Sequence, residues 1–404
     1  MKLIGGGVIA PLGFKSAGIH CGIRKNKDKL DLALICCDRE CSAAAVYTTN
    51  KVKAAPVYLT MQHLENGTAR AMLCNSGNAN ACAPGGNQNA KLMCDSVAGE
   101  LGISAEDIIV ASTGVIGVSL NSDAVVKNAP ALVSALTSQE CGDAAQAIMT
   151  TDTIEKVVAV EFELGGKTAR IGGIAKGSGM IHPNMATMLA FLTTDAAISP
   201  QMLQLALSQT TKRTYNMVSV DGDTSTNDMA AIMASGLAQN EVIDWENEDF
   251  TQFVNALEFV NRHLAMLIAR DGEGANRLIT CNVLNCRTQE NAAQLARQVI
   301  SSSLVKAAMF GADANWGRVL CALGYSRAPF RPEYVDISFS SAAGQIMVCQ
   351  NGAGLDFDED IAKKVLTQEQ VCISVDLKEG TAQATAWGCD LTYDYVKING
   401  DYRT

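Results

Sequence analysis

The sequence predicts an α+β protein in which helices and sheets pack in layers. The chain has 404 residues, 48% of them hydrophobic, which is enough to bury a full core. Helix-like and strand-like segments are grouped along the chain, whereas a doubly wound parallel sheet would require them to alternate. The C-terminal part of the chain is especially rich in strand-like segments, so a layered α+β fold is expected.

Three segments have apolar residues at the three- and four-residue spacing that is typical of helices. In the first, Ser199 is an N-cap and Pro200 a first helical residue, and the helix continues through QMLQLALSQTTKR. The second, EDFTQFVNALEFVNRHLAMLIAR, is predicted to end at Arg270. The third, AAQLARQVISSSLVKAAMF, is predicted to form one helix.

Several segments rich in β-branched and aromatic residues are predicted strands. The predicted C-terminal strands are YVDISFS, QIMVCQ, VCISVDL, TAQATAW and LTYDYVKI, with a hairpin turn at KEG from Lys378 to Gly380. Upstream, the apolar run DIIVAS leads into ASTGVIG. The acidic stretch DGDTSTND differs from a calcium loop, because Thr226 replaces the required glycine and Ile232 the required glutamate. We therefore expect a hydrogen-bonded turn that caps a helix in DMAAIMASG.

The composition argues against several classes of partner and cofactor. There are 32 basic and 42 acidic residues, and a net charge of −10 disfavours binding to nucleic acid. No apolar run approaches the roughly 20 residues that span a bilayer, so a cytoplasmic protein without membrane contact is expected. The glycine-rich segments lack nucleotide-loop spacing, and the 14 cysteines and 4 histidines lack zinc-site spacing. We expect no cofactor, no metal, and reduced thiols that are mostly buried.

The stretch KGSGMIHPNMATMLAFLTTDA, residues 176–196, is the strongest candidate for a functional segment. Within it, the hydroxyl of Thr187 is a nucleophile only if a base lies beside it, and no histidine triad can be placed here. Lys176 is one candidate base. The other is the α-amine that Thr187 gains if the chain is cut after Ala186, since such amines titrate at about 7.7–8.0. An ordinary strand threonine remains the simplest alternative.

Two other local patterns have both a structural and a functional interpretation. Thr113 and Gly114 follow an apolar run, where a hydroxyl beside a backbone N–H forms an oxyanion hole in acyl-transfer enzymes, although Thr-Gly also ends many ordinary strands. Glu273 lies between two glycines in RDGEGAN. The glycines alone explain the end of the preceding helix, while a carboxylate there would suit a substrate ammonium group.

Residues 176–196 closely resemble the signature of the ornithine acetyltransferase family, also called the arginine biosynthesis bifunctional or glutamate N-acetyltransferase family. The resemblance extends along nearly the whole chain, through GGVIAPLGF, CNSGNANACAP, ASTGVIG, AIMTTDT, VSVDGDTSTND, RDGEGAN, GADANWGRVLCALGYS and VKINGDYRT. It implies a layered α+β fold shared with certain aminopeptidases. It also implies self-cleavage between Ala186 and Thr187 into chains 1–186 and 187–404, which stay associated as two copies of each.

The resemblance also implies roles for individual residues. Thr187 would be the nucleophile with its new amine as a candidate base, and Thr113 and Gly114 would form the oxyanion hole. The implied substrate contacts are Thr150, Lys176, Thr187 and Glu273, with Asn399 and Thr404 closing the pocket. On charge, Glu273 suits an α-ammonium group and Lys176 an α-carboxylate. The family commonly has threonine where this chain has Asn276, which puts only a neighbouring contact in doubt.

The implied activity is a ping-pong transfer of acetyl from N2-acetylornithine to glutamate in arginine biosynthesis. The resemblance leaves acetyl-CoA open as a second donor, because both kinds of family member share these motifs. Two alternatives from other classes remain at this point. One is a hydrolase of the aminopeptidase type that passes the acyl group to water, and the other is an inactive small-molecule binding protein that stays uncut.

Overall fold

The structure is a computed structural model that describes residues 1–182 and 188–401. These residues form two mixed β-sheets and the helices around them. The strands are β1 Lys2–Ile4, β2 Phe14–Ile19, β3 Leu32–Tyr47, β4 Thr68–Asn78, β5 Ile108–Val115, β6 Lys156–Leu164, β7 Lys167–Lys176, β8 Leu189–Thr194, β9 Val218–Ser219, β10 Met229–Ala234, β11 Leu278–Cys286, β12 Asp336–Ser341, β13 Gly344–Gln350, β14 Ala353–Gly354, β15 Gln370–Asp376 and β16 Ala382–Cys389.

The helices connect these strands and cover their faces. They are α1 Ala55–His63, α2 Gly86–Leu101, α3 Ser122–Ser134, α4 Gly142–Ile148, α5 Pro200–Arg213, α6 Glu248–Arg270, α7 Gln289–Ser301, α8 Ser303–Phe310, α9 Trp316–Gly324, α10 Glu359–Leu366 and α11 Tyr393–Asp401. Short 3-10 turns occur at Gly7–Ile9, Leu64–Asn66, Ala105–Asp107, Tyr215–Met217 and Pro332–Tyr334.

The first sheet has nine strands in the order β1-β6-β7-β8-β10-β3-β4-β5, with β2 also paired to β3. The parallel pairs are β8 with β10 and β4 with β5, and the other pairs are antiparallel. Strands β8 and β10 therefore lie in the middle of this sheet, although they follow the predicted cleavage point. Strands that precede and follow this point therefore belong to one sheet.

The second sheet has seven strands in the order β14-β13-β12-β15-β11-β16-β9. Helix α6 contacts β6 and β7 of the first sheet and also β11 and β16 of the second. Its buried side chains recur every three or four residues, so one core of apolar side chains spans both sheets. Helix α4 packs on β2 and β3 in a separate core, which completes the layered α+β architecture that the sequence predicts.

Two of the three predicted helices are confirmed at their predicted ends. Helix α5 starts at Pro200, and the hydroxyl of Ser199 accepts the Met202 N–H at 3.4 Å as its N-cap. Helix α6 ends at Arg270 as predicted. The third segment was predicted as one helix and is two, because Ser302 is non-helical and its hydroxyl caps α8 by accepting the Val305 N–H. A serine there satisfies a free N–H better than it continues a helix.

The C-terminal prediction of a strand in LTYDYVKI is wrong, since these residues enter helix α11. The hydroxyl of Thr392 donates to the Gly274 carbonyl at 2.7 Å and accepts the Tyr395 N–H at 3.4 Å. This anchor starts a helical turn where aromatic and β-branched residues alone favour a strand. The four other predicted C-terminal strands are confirmed as β12, β13, β15 and β16.

The predicted hairpin turn at KEG and the predicted helix in DMAAIMASG are both wrong, because a strand lies where neighbouring residues did not indicate one. KEG is not a hairpin turn, since β11 lies between β15 and β16 and pairs with both. DMAAIMASG is not a helix: it forms β10, which lies between β8 and β3 and is buried throughout. A central strand buried on both faces has no polar alternation, so its sequence resembles that of a buried helix.

The cysteines and the helices agree with a well-buried core. All 14 cysteines lie within the described ranges and are free, and 11 of them are buried. This confirms the prediction that the thiols are mostly buried. None of the helices within residues 1–182 and 188–401 is long and apolar enough to cross a membrane.

Candidate active site

A cavity of about 140 Å³ lies where the ends of β5, β7 and β8 meet helix α11. Its walls include six of the residues that the sequence analysis selected: Thr113, Gly114, Thr150, Lys176, Glu273 and Asn399. These residues are widely separated in sequence, so their convergence is a result of the fold alone. Thr187, Ala186 and Thr404 lie outside the described residues, but Met188 and Leu189, which directly follow Thr187, also line the cavity.

The Thr113–Gly114 corner lies close to the end of the pairing between β4 and β5, which reaches Val115. The ladder becomes irregular at Gly77 and Asn78, opposite Gly114 and Thr113. Gly114 has φ 133°, and a Cβ built on it would lie 2.4 Å from the carbonyl carbon of Gly77. Only glycine fits this close approach of two strands, which explains the TG sequence physically.

Buried amides and hydroxyls hold this corner in place. The Ser112 hydroxyl donates to Asn75 Oδ1 at 2.6 Å, and Asn75 Nδ2 donates to the Asn78 carbonyl at 2.9 Å. From the other side, Asn227 Nδ2 donates to the carbonyls of Ser112 and Ala79 at 2.8 and 2.6 Å. These satisfied bonds restrict the strand end just before Thr113, as required of a preorganised oxyanion site.

Lys176 is the last residue of β7 and is buried. Its partner across the antiparallel ladder is Leu189 at the start of β8, so the register places the residues that follow Thr187 beside Lys176. The next backbone N–H, that of Gly177, donates to Asp152 Oδ1 at 2.7 Å. Thr150 is held by the same carboxylate, since its N–H donates to Asp152 Oδ2 at 2.9 Å.

Glu273 reaches the cavity from the loop after α6 and is 9% exposed. Its N–H donates to the Ser178 carbonyl at 3.0 Å, and its Oε2 accepts Asn399 Nδ2 at 2.7 Å. A Cβ on Gly179 would lie 2.4 Å from the Glu273 carboxyl carbon. The second glycine of KGSG therefore makes room for this carboxylate, and α11 supplies the amide that orients it.

The DGDTSTND stretch, which was predicted from the sequence only as a capping turn, holds the segment just before the predicted cleavage point. Asp221 accepts the N–H groups of Met180 and Ile181 at 2.6 and 2.9 Å. The Thr224 hydroxyl donates to the His182 carbonyl at 2.9 Å. Burial raises the pKa of the Asp221 carboxyl, although these backbone N–H donors oppose the shift. Burial, followed by the charge of Arg297, lowers the pKa of His182.

Several other residues that line the cavity were not predicted from the sequence. Ser225, Asn227 and Asp228 belong to DGDTSTND, and that motif's place in the family order was the signal that pointed to them. The remaining lining residues are Ile116, Thr151, Gly179, Met180, Ile181, Met188 and Leu189. Within residues 1–182 and 188–401, no three His, Cys, Asp or Glu side chains are grouped as a metal site.

Comparison with known proteins relates this arrangement to one family. The family model of the ArgJ family matches residues 15–404. The arginine biosynthesis bifunctional protein ArgJ of Caldanaerobacter subterraneus subsp. tengcongensis is 51% identical over 405 residues, covering 100% of both chains. The protein of the same name from Symbiobacterium thermophilum is 52% identical over 406 residues, again covering 100% of both. The chain belongs to the ArgJ family.

This membership confirms the family resemblance seen in the sequence. Among solved structures, that of the arginine biosynthesis bifunctional protein argJ from Bacillus halodurans is 46% identical. The likeness covers 52% of this chain and 97% of that one, with a TM-score of 0.49. The α+β class of this ArgJ-family chain is seen directly in its two mixed sheets.

Proposed function

We propose that this ArgJ-family protein is an acetyltransferase that moves acetyl from N2-acetylornithine to glutamate through an acetyl-threonine intermediate. The observation that supports this most is one cavity lined by the predicted oxyanion donors, a buried lysine and a buried glutamate. The residues that follow Thr187 line the same cavity. Full-length relatives named arginine biosynthesis bifunctional proteins support the same conclusion.

In the first half-reaction, the Thr187 hydroxyl attacks the acetyl carbonyl of N2-acetylornithine. The oxyanion that forms accepts hydrogen bonds from the Thr113 hydroxyl and the Gly114 N–H, held by the buried network around Ser112. The bond between the acetyl carbon and the α-nitrogen breaks, the nitrogen takes the hydroxyl's proton, and ornithine leaves. The acetyl group remains as an ester of Thr187.

In the second half-reaction, the α-amine of glutamate attacks this ester, and the released alkoxide of Thr187 recovers a proton. N-acetylglutamate leaves and the enzyme is regenerated. Lys176 pairs with the α-carboxylate of either amino acid, and Glu273, oriented by Asn399, pairs with the α-amine when it is an ammonium group. Thr150 and Thr404 complete the substrate contacts. We assign the base to the α-amine of Thr187, since free α-amines titrate at about 7.7–8.0 and can accept a proton near neutral pH.

The α-amine exists only after cleavage between Ala186 and Thr187, so we propose that the protein cuts itself there. The same hydroxyl attacks the Ala186 carbonyl, and the peptide C–N bond breaks as its nitrogen takes the hydroxyl's proton. Water then hydrolyses the resulting ester, which gives chains 1–186 and 187–404. Both chains contribute neighbouring strands to the first sheet, which supports their staying together, and we propose an assembly with two copies of each. We also propose a cytoplasmic enzyme that needs no cofactor.

Measurement of acetyl transfer with each donor tests this function. The purified protein is supplied with N2-acetylornithine labelled in the acetyl group, with or without glutamate, and ornithine, N-acetylglutamate and acetate are quantified. We expect label in N-acetylglutamate and parallel double-reciprocal lines when donor and acceptor are varied. Rapid acetate release without glutamate would instead indicate the hydrolase. The absence of any turnover, together with an uncut chain, would indicate a binding protein. Replacing the donor with acetyl-CoA tests the second activity, which the relatives' bifunctional names favour.

A further inference from the structure

Beside the cavity lies a buried ionic cluster that the proposed chemistry does not use. Lys156 Nζ lies 2.7 Å from Asp152 Oδ1 and 2.6 Å from Asp271 Oδ2. The side chains of Lys156 and Asp152 are 0% exposed, and that of Asp271 is 4% exposed. Three charged groups are thus buried together. Replacing such buried ion pairs by apolar side chains of similar volume often leaves a protein as stable or makes it more stable.

The first carboxylate of the cluster contacts the wall that holds Lys176. Asp152 Oδ1 accepts the Gly177 N–H at 2.7 Å, and Oδ2 accepts the Thr150 N–H at 2.9 Å. Burial acts to raise the pKa of the Asp152 carboxyl, but the charges of Lys176 and Lys156 outweigh it and hold this pKa below its usual value. The charge of Lys176, like that of Lys156, therefore favours the ionised form of Asp152.

The second carboxylate leads to Glu273. Asp271 accepts the N–H and the hydroxyl of Thr153, which ties it back to the Asp152 loop. The Asp271 carbonyl accepts the Ser178 hydroxyl at 2.7 Å, and the Ser178 carbonyl accepts the Glu273 N–H at 3.0 Å. A continuous set of short bonds therefore runs from the segment of Lys176 to the segment of Glu273.

We propose that Asp152, Lys156 and Asp271 are positioning residues that set the distance between Lys176 and Glu273 for the amino acid bound between them. This inference rests on the acetyl transfer proposed above. Asp152 and Lys156 lie before the predicted cut and Asp271 lies after it, so the cluster also joins the two chains across the substrate site. Its charge explains why an apolar contact does not replace it: directional bonds fix two backbone segments, whereas apolar packing leaves them free to slide.

The test is Asp152→Asn, with Glu155→Gln as the matched control. An amide has one acceptor oxygen, so either the Gly177 N–H or the Thr150 N–H must then face an NH2 group. Glu155 is an exposed acid of the same loop, and its carboxylate accepts a hydrogen bond from Gln146 Nε2 at 2.7 Å. We expect the KM for glutamate and for N2-acetylornithine to rise by about tenfold or more in Asp152→Asn, as the loss of a charge-assisted bond implies.

Self-cleavage, read from intact masses, should remain complete in Asp152→Asn, and Glu155→Gln should keep wild-type KM values. A merely structural role would lower stability and leave both KM values unchanged, which would overturn the proposal. If Asp152→Asn does not fold, Ser178→Ala decides, because it removes the hydroxyl link to Asp271 without burying an unpaired charge. Raised KM values in Ser178→Ala support the proposal and unchanged values overturn it. A wild-type protein without acetyl transfer would overturn the proposed function itself, and this inference with it.

Discussion

Replacing Glu273 by glutamine should remove the charge that faces the substrate while leaving the shape of the site intact. The carboxyl group packs directly against Gly179, so an amide of the same size fits the same space. Its oxygen can still accept the Asn399 amide that now donates at 2.7 Å. The change therefore tests the pairing of this carboxylate with an ammonium group and little else.

The burial of Glu273 sets the expected size of the effect. Glu273 is 9% exposed, so a substrate ammonium bound against it loses most of its water. Removing one partner from a buried charge pair typically costs about 3–5 kcal/mol. Because Glu273 is slightly exposed to solvent, we expect a cost at the lower end of this range. We therefore expect kcat/KM for glutamate to fall by about 10²-fold or more.

The assay compares Glu273→Gln with Glu369→Gln in acetyl transfer and in self-cleavage. Glu369 pairs with Arg270 on the surface and its side chain is 76% exposed, so its loss should change kcat/KM by less than about fivefold. Cleavage of Glu273→Gln should stay complete, because the scissile bond needs no bound amino acid. Either of two results would refute the assignment of Glu273 to substrate binding. One is a wild-type kcat/KM in Glu273→Gln. The other is a variant that does not cleave itself but transfers acetyl normally once its two chains are supplied already cut.

Three further outcomes follow from the same site. Thr187→Ala should remain a single chain of 42.7 kDa without transfer, while Thr187→Ser should keep part of both reactions and yield chains of about 20 and 23 kDa in denaturing mass spectrometry. Processing of the alanine variant at the same bond would show that an external protease makes the cut. Thr113→Val should lower kcat by about 10²–10³-fold with little change in KM, and a raised KM alone would move Thr113 to substrate binding. The pKa of Asp152 is lower in the folded protein than in the unfolded chain. The carboxylate should therefore stabilise the fold above the usual Asp pKa of about 3.9, and this stabilisation should be lost as the pH falls through the folded pKa. In urea unfolding from pH 7 to pH 3, the free energy of unfolding should fall less in Asp152→Asn than in wild type.

The sequence by itself determined the elements that local interactions decide. Helix α5 begins at the pair Ser199–Pro200, and α6 has apolar residues at helical spacing along its whole length. The ends of these helices were predicted from neighbouring residues alone. The grouping of helices and strands predicted the α+β class. The motifs in family order identified six of the residues that line the cavity, although these six are far apart in the chain.

Only the tertiary structure decided which segments meet. Strand β10 resembles a helix in sequence and becomes a strand because β8 and β3 flank it, and α11 forms because Thr392 is anchored to Gly274. The Asp152–Lys156–Asp271 cluster could not be read from the chain, since Asp271 lies far from its partners in sequence. Burial, and with it the strength of each charge pair, depends on what other segments cover, and one stretch of sequence does not contain that information.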